Sequence, residues 1–192
     1  TAKSFNAITV DSDTSTNDSV FLMASGKAAH EPISDADDPA LDGFRAALDD
    51  VMQDLAQQIV RDGEGATKFV TVSVSGATDD AAARRIGMAI ANSPLVKTAI
   101  AGEDANWGRI VMAVGKAGEG INQARLSVSI GGILIAANGA RVDGYDEAPV
   151  AAHMAGDSID VQVSVGDGNG HSRIWTCDLT HGYISINADY RS

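Results

Sequence analysis

Residues 41–74 read LDGFRAALDDVMQDLAQQIVRDGEGATKFVTVSV, and the fold class turns on this stretch. Leu41, Phe44, Leu48, Val51, Leu55 and Ile59 recur at steps of three and four. That spacing lines one face of a helix and predicts that the face turns toward a core. Asp and Arg residues occupy the other face. Gly63 and Gly65 stop the helix, and Lys68 to Val74 alternates apolar and polar residues as a half-buried strand does.

Working outward, Phe5 to Val10 reads as a buried strand followed by the polar loop Asp11 to Asp18, whose oxygen-bearing side chains suit turns and helix caps. Ser19 to Ser25 reads as a short helix ending at Gly26, and a second polar stretch carries His30, Pro32 and Pro39. Beyond the deciding stretch, Thr78-Asp79-Asp80 caps a helix that continues to Asn92, where Ser93-Pro94 breaks it. Strands are expected at Leu126–Ile130, Ile133–Ala136, Ile159–Val165 and Ser172–Cys177, with a final extended run over Gly182–Asn187. Gly166-Asp167-Gly168-Asn169-Gly170 reads as a hairpin turn between two of those strands. Strands and helices follow in mixed order, so the expected class is α+β, with mixed sheets packed against helices. Two closely associated subdomains, 1–115 and 116–192, are expected, with a soft boundary near Gly115–Gly120.

The chain has 192 residues, enough to bury a core, and 44% of them are hydrophobic. Lys and Arg number 14 against 26 Asp and Glu, a net charge of -12, which disfavours broad binding to nucleic acid or acidic membranes. A single cysteine, Cys177, excludes an internal disulfide and reads as a small buried hydrophobe. No apolar run approaches the roughly 20 residues of a membrane span, and no leader pattern opens the chain, so a cytoplasmic setting is expected.

Two loops carry chemically useful groups. In Asp62–Lys68, glycines permit close approach while Glu64 offers a carboxylate suited to a substrate ammonium and Lys68 offers an ammonium. In Gly102–Arg109, Trp107 is placed to wall a pocket and Arg109 to pair with Glu103 or Asp104. On spacing alone the plainer readings are preferred: a helix stop with a solvated turn for the first loop, and a structural turn with an internal ion pair for the second. Asp11–Asp18 lacks the glycine and distal Glu of a calcium loop, and His30, His153, His171 and His181 lack metal-ligand spacing. No nucleophile elbow, phosphate loop or dinucleotide fingerprint is present.

Four runs change this picture when taken together: SFNAITVDSDTSTND at 4–18, RDGEGATKF at 61–69, NSPLVKTAIAGEDANWGRI at 92–110 and YISINADYRS at 183–192. In this order they resemble the ornithine acetyltransferase family, also called glutamate N-acetyltransferase. The resemblance implies the carboxy-terminal part of a β-chain, cut by self-cleavage from a precursor that also supplies an α-chain. It implies acetyl transfer from N2-acetylornithine to glutamate through an acetyl-threonine intermediate, in arginine biosynthesis. A threonine hydroxyl needs its own α-amine or a neighbouring base to accept its proton before it attacks. No metal or redox cofactor is implied, though acetyl-CoA is a co-substrate in bifunctional members, and the implied assembly is (αβ)2.

Thr1 invites assignment as the nucleophile, but the family's nucleophile stands in an Ala-Thr-Met-Leu-like context well before the SFNAITVD-like run. Here Ser4-Phe5-Asn6 follows almost at once, so the catalytic threonine is expected upstream and this piece is expected to be inactive alone. By motif, Glu64, Asn187 and Ser192 carry over as substrate-binding residues, and Trp107 and Arg109 as structural supports. Two other classes stay open on the residues: an N-terminal-nucleophile amidohydrolase or aminopeptidase, and a non-catalytic α+β interaction domain.

Overall fold

The computed structural model describes residues 1–190. Its centre is one mixed six-stranded sheet in the order β4-β3-β2-β5-β1-β6. The strands are β1 (Phe69–Ala77), β2 (Ser127–Ile130), β3 (Ile133–Ala137), β4 (Ala140–Arg141), β5 (Ser158–Ser164) and β6 (Gly170–Cys177). Among the named strands of the described residues, β1 and β5 pair in parallel and the other pairs are antiparallel. The helices are α1 (Asp42–Arg61), α2 (Asp80–Ala91), α3 (Pro94–Ala101), α4 (Trp107–Lys116), α5 (Glu147–Met154) and α6 (His181–Asp189). The expected α+β class is what forms. The portions 1–115 and 116–192 interleave, because β1 lies between β5 and β6.

Period-two burial decides which sheet face is covered. Val70, Val72 and Val74 of β1 are buried with Val128 and Ile130 of β2 and Ile159, Val161 and Val163 of β5. The alternate positions Ser73, Ser75, Asp160 and Gln162 are partly or fully exposed. Helix α2 covers the apolar face, sealing Ile86 and Ile90 at 1% and 0% exposure, each worth about 1.5–3 kcal/mol on burial. It sits close because Gly87 has no Cβ: one would stand 2.7 Å from the Ile174 side chain. The cap read from sequence is in place, with Asp79 accepting from Ala82 N.

Several expectations need correction. Phe5–Val10 forms a 3-10 turn over Phe5–Ala7 and a single bridge from Ile8 to Trp175, since Thr1 O collects the Ser4 and Asn6 amides. Ser19–Ser25 is not helical; Val20, Phe21, Leu22 and Met23 stand exposed with no element beneath them. Ser93-Pro94 ends one helix and starts another, because Pro suits a first helical turn and Ser93 caps it. The glycine run after β5 is no hairpin. β1 separates β5 from β6, and the connection crosses the end of β1 with Gly168 and Gly170 against the Ala77 and Asp79 carbonyls, where a Cβ would clash. Gly182–Asn187 is helical, because the Thr180 side chain accepts from Gly182 N and caps α6. The stripe on α1 also faces the wrong way for a core helix: Ala56 and Val60 are buried, while Phe44, Val51, Leu55 and Ile59 are exposed.

Candidate active site

The end of α1 turns sharply into β1, and this turn carries Glu64. Gly63 N donates to Val60 O and Ala66 N to Gly63 O, which closes the turn. Gly65 adopts φ +68°, and a Cβ there would lie 2.3 Å from Tyr183 N. Only glycine lets the first turn of α6 rest directly on this loop.

Two clamps hold loop and helix together. On one side the Thr180 hydroxyl donates to Gly65 O at 2.6 Å while accepting from Gly182 N at 3.0 Å. On the other, the buried Asp178 carboxylate accepts from Thr67 N at 2.8 Å, Thr67 Oγ1 at 2.5 Å and Lys68 N at 3.0 Å. A buried carboxylate is tolerated when donors surround it in this way. Lys97 lies close behind: its ammonium donates to Thr176 Oγ1 at 2.9 Å and to the Cys177 carbonyl. Burial holds the Lys97 pKa below the usual lysine value. Burial likewise raises the Cys177 thiol, so this free and buried cysteine behaves as a small hydrophobe, as its setting in sequence suggests.

The product of these clamps is a single close contact across 123 positions of sequence: Asn187 Nδ2 donates to Glu64 Oε2 at 2.5 Å. Asn187 also donates to Tyr183 O, one helical turn back, at 3.1 Å. The Tyr183 hydroxyl donates to Asp11 Oδ2 at 2.9 Å, which ties the loop after Ile8 to the same helix. That bond, with the negative charge of Asp11, Glu64 and Asp13, raises the Tyr183 pKa and keeps the phenol protonated. Three carboxylates around one phenol make a negative rim that favours a cationic group.

Of the residues expected from sequence, Glu64 and Asn187 meet, and Ser192 lies outside the described residues. Lys68 turns away: its ammonium is buried against Met154 O and Gly156 O at 2.9 and 2.8 Å, with Glu103 at 3.4 Å. Arg109 does not pair with Glu103 or Asp104 but donates to Leu95 O at 2.8 Å, bracing α3 against α4. Trp107 is half-buried against the core, so both act as supports. Thr1 is exposed, with its carbonyl closing the 3-10 turn. Asp11, Asp178, Thr180 and Tyr183 were missed. Asp11 and Tyr183 stand inside two of the quoted runs, but only the tertiary fold pairs them.

Among the described residues, no three His, Cys, Asp or Glu side chains gather as a metal site, and no helix is long and apolar enough to cross a membrane. A cleft of about 190 Å³ beside the loop is lined by Arg61, Thr67, Phe69 and Asp157, and neither Glu64 nor Asn187 reaches it. The Glu64–Asn187 pair is thus on open surface.

Comparison with known proteins agrees with this architecture. The chain is 59% identical over 191 residues to the arginine biosynthesis bifunctional protein ArgJ of Gluconobacter oxydans, covering all of this chain and 45% of that protein. It is 60% identical over 190 residues to the protein of the same name from Zymomonas mobilis, covering 99% of this chain and 46% of that one. The chain therefore spans less than half the length of these curated relatives. The crystal structure of the Bacillus halodurans protein of that name superposes with a TM-score of 0.93 at 44% identity, covering 98% of this chain and 88% of the solved one. The ArgJ family model matches residues 1–192, and the chain belongs to the ArgJ family.

Proposed function

We propose that this chain supplies one wall of an acetyltransferase site that moves an acetyl group from N2-acetylornithine to glutamate, in arginine biosynthesis. The carrying observation is the Asn187–Glu64 contact within a negative rim, built from segments far apart in sequence. Glu64 binds an ammonium group of the amino-acid substrate, and Asn187 orients that carboxylate through its NH2 while its amide oxygen is left to accept from the substrate. Ser192, carried over by motif from the YISINADYRS run, is the third substrate-binding residue of this reading.

The nucleophile is a threonine in the portion of the relatives' length that this chain does not span. Its hydroxyl attacks the acetyl carbonyl of acetylornithine; the amide C–N bond breaks, an ester forms on the threonine oxygen, and the proton passes to the departing ornithine amine. Glutamate's amine then attacks the ester, forming acetylglutamate and restoring the hydroxyl. No metal or redox group enters this sequence, since the enzyme itself carries the acyl group. Acetyl-CoA is a second acetyl donor in this reading, because the relatives are named bifunctional. The companion is an α-chain cut from the same precursor, in an (αβ)2 assembly in the cytoplasm. The solved relative supports cleavage: its chain is little longer than this one, while the curated relatives are more than twice as long.

The test is made on the protein assembled with its companion. Acetylornithine plus glutamate should yield acetylglutamate, and intact mass should show an acetylated chain when glutamate is withheld. Free acetate independent of glutamate would assign a hydrolase instead, and absence of any acetyl-enzyme would assign an interaction domain. Glu64→Ala should raise KM for acetylornithine at least tenfold, the loss of one charge-assisted contact of about 1.5–3 kcal/mol.

A further inference from the structure

Helix α1 is apolar on two adjacent faces, and the chain covers only one. Ala56 and Val60 are fully buried toward β6 and the turn at Phe5–Ala7. Around the helix, Phe44, Val51, Leu55 and Ile59 are exposed at 62, 56, 47 and 47%. These four fall at steps of seven, four and four, which aligns them in one stripe along the helix. Scattered exposed apolar residues are ordinary, but a contiguous stripe of large ones marks an interaction surface.

The stripe leads to the candidate site. Ile59 lies five positions before Glu64, and on α6 the exposed Ile184 and Ile186 flank Asn187's turn. Glu64 and Asn187 lie on open surface, whereas small-molecule sites bury 70–90% of a ligand, so a second wall has to close over them. The relatives are more than twice as long as this chain, which gives that wall a source.

We infer that the outer face of α1, from Phe44 to Ile59, is the docking surface for the companion polypeptide, the portion of the ArgJ relatives that this chain does not span. The companion seats on the stripe and in doing so roofs the Glu64–Asn187 pair. This rests on the reading of that pair as half of an active site. It accounts for the outward turn of a helix whose pattern promised burial: the pattern is satisfied by the assembled protein and not by this chain.

The test uses Val51→Glu with Leu55→Glu, compared with Ala46→Glu, an exposed position of the same helix off the stripe. Each is produced together with the companion and examined by native mass spectrometry and size-exclusion chromatography without substrate. Wild type and Ala46→Glu should assemble, while the double variant should lose affinity by about thirtyfold or more, as loss of central apolar anchors does. Circular dichroism of the double variant should match wild type, because both side chains point to solvent in this chain. Unchanged assembly of the double variant would overturn the inference. So would a homodimer of the chain alone that the double variant abolishes while companion binding stays intact, since the stripe would then belong to a second copy. Because assembly is read without substrate, an assembled protein that fails to transfer acetyl would refute the enzymatic reading and leave the docking surface supported.

Discussion

Removing the Asp178 carboxylate tests how the Glu64 loop is held. In Asp178→Ala three donors lose their acceptor: Thr67 N, Thr67 Oγ1 and Lys68 N. Their losses are unequal. Thr67 is exposed, so its amide and hydroxyl can turn to water, whereas the Lys68 amide is buried and stays unpaired. One orphaned buried donor costs about 1–3 kcal/mol, and lost charge assistance adds to it, while relief from burying a carboxylate subtracts. The sum is a destabilisation of about 2–3 kcal/mol, well short of three full charged hydrogen bonds. Asp178→Asn separates the parts. Both amides bond the same oxygen, Oδ1, so the Asn side chain can keep them while its NH2 faces the Thr67 hydroxyl, which turns to accept. The cost of Asn should stay near 1 kcal/mol or below. Urea unfolding followed by the fluorescence of the buried Trp175 measures both. An Ala variant within about 0.5 kcal/mol of wild type, or an Asn variant as damaging as Ala, would refute this account of the clamp.

Gly65→Ala should separate α6 from the Glu64 loop, since the new Cβ meets backbone at 2.3 Å and cannot be accommodated by turning a side chain. In the assembled protein we expect KM for acetylornithine to rise tenfold or more with α6 displaced, and normal kinetics would contradict the packing described. The Tyr183 phenol has its pKa raised above 10.0 by its bond to Asp11 and the surrounding negative charge, so folding favours the protonated form. Its contribution is complete below the unfolded tyrosine pKa and is lost as pH rises through the higher folded value. Stability should therefore fall above about pH 10 more steeply in wild type than in Tyr183→Phe, as thermal denaturation at several pH values would reveal.

Local signals in the chain determined much of this protein. The alternation in residues 68–74 made β1, Asp79 and Ser93 started helices through short-range caps, and the glycines after α1 made the turn that carries Glu64. These depend on contacts within a few residues, which a sequence displays directly. Long-range partners decided the rest. The glycines at 166–170 promised a hairpin, but β1 takes the place between β5 and β6, so they serve a crossing instead. The alternating 182–187 run became helix because one hydroxyl, Thr180, capped it while lying against Gly65. The six apolar residues spaced three and four apart over 41–59 told that a helix face would be buried, without telling by what. Periodicity records that water must be excluded from a face; which surface excludes it is a property of the assembled molecule. For the same reason Glu64 and Asn187 were each nameable from their motifs, while their 2.5 Å contact, and the Asp11, Asp178 and Tyr183 bonds that hold it, exist only once distant segments are folded together.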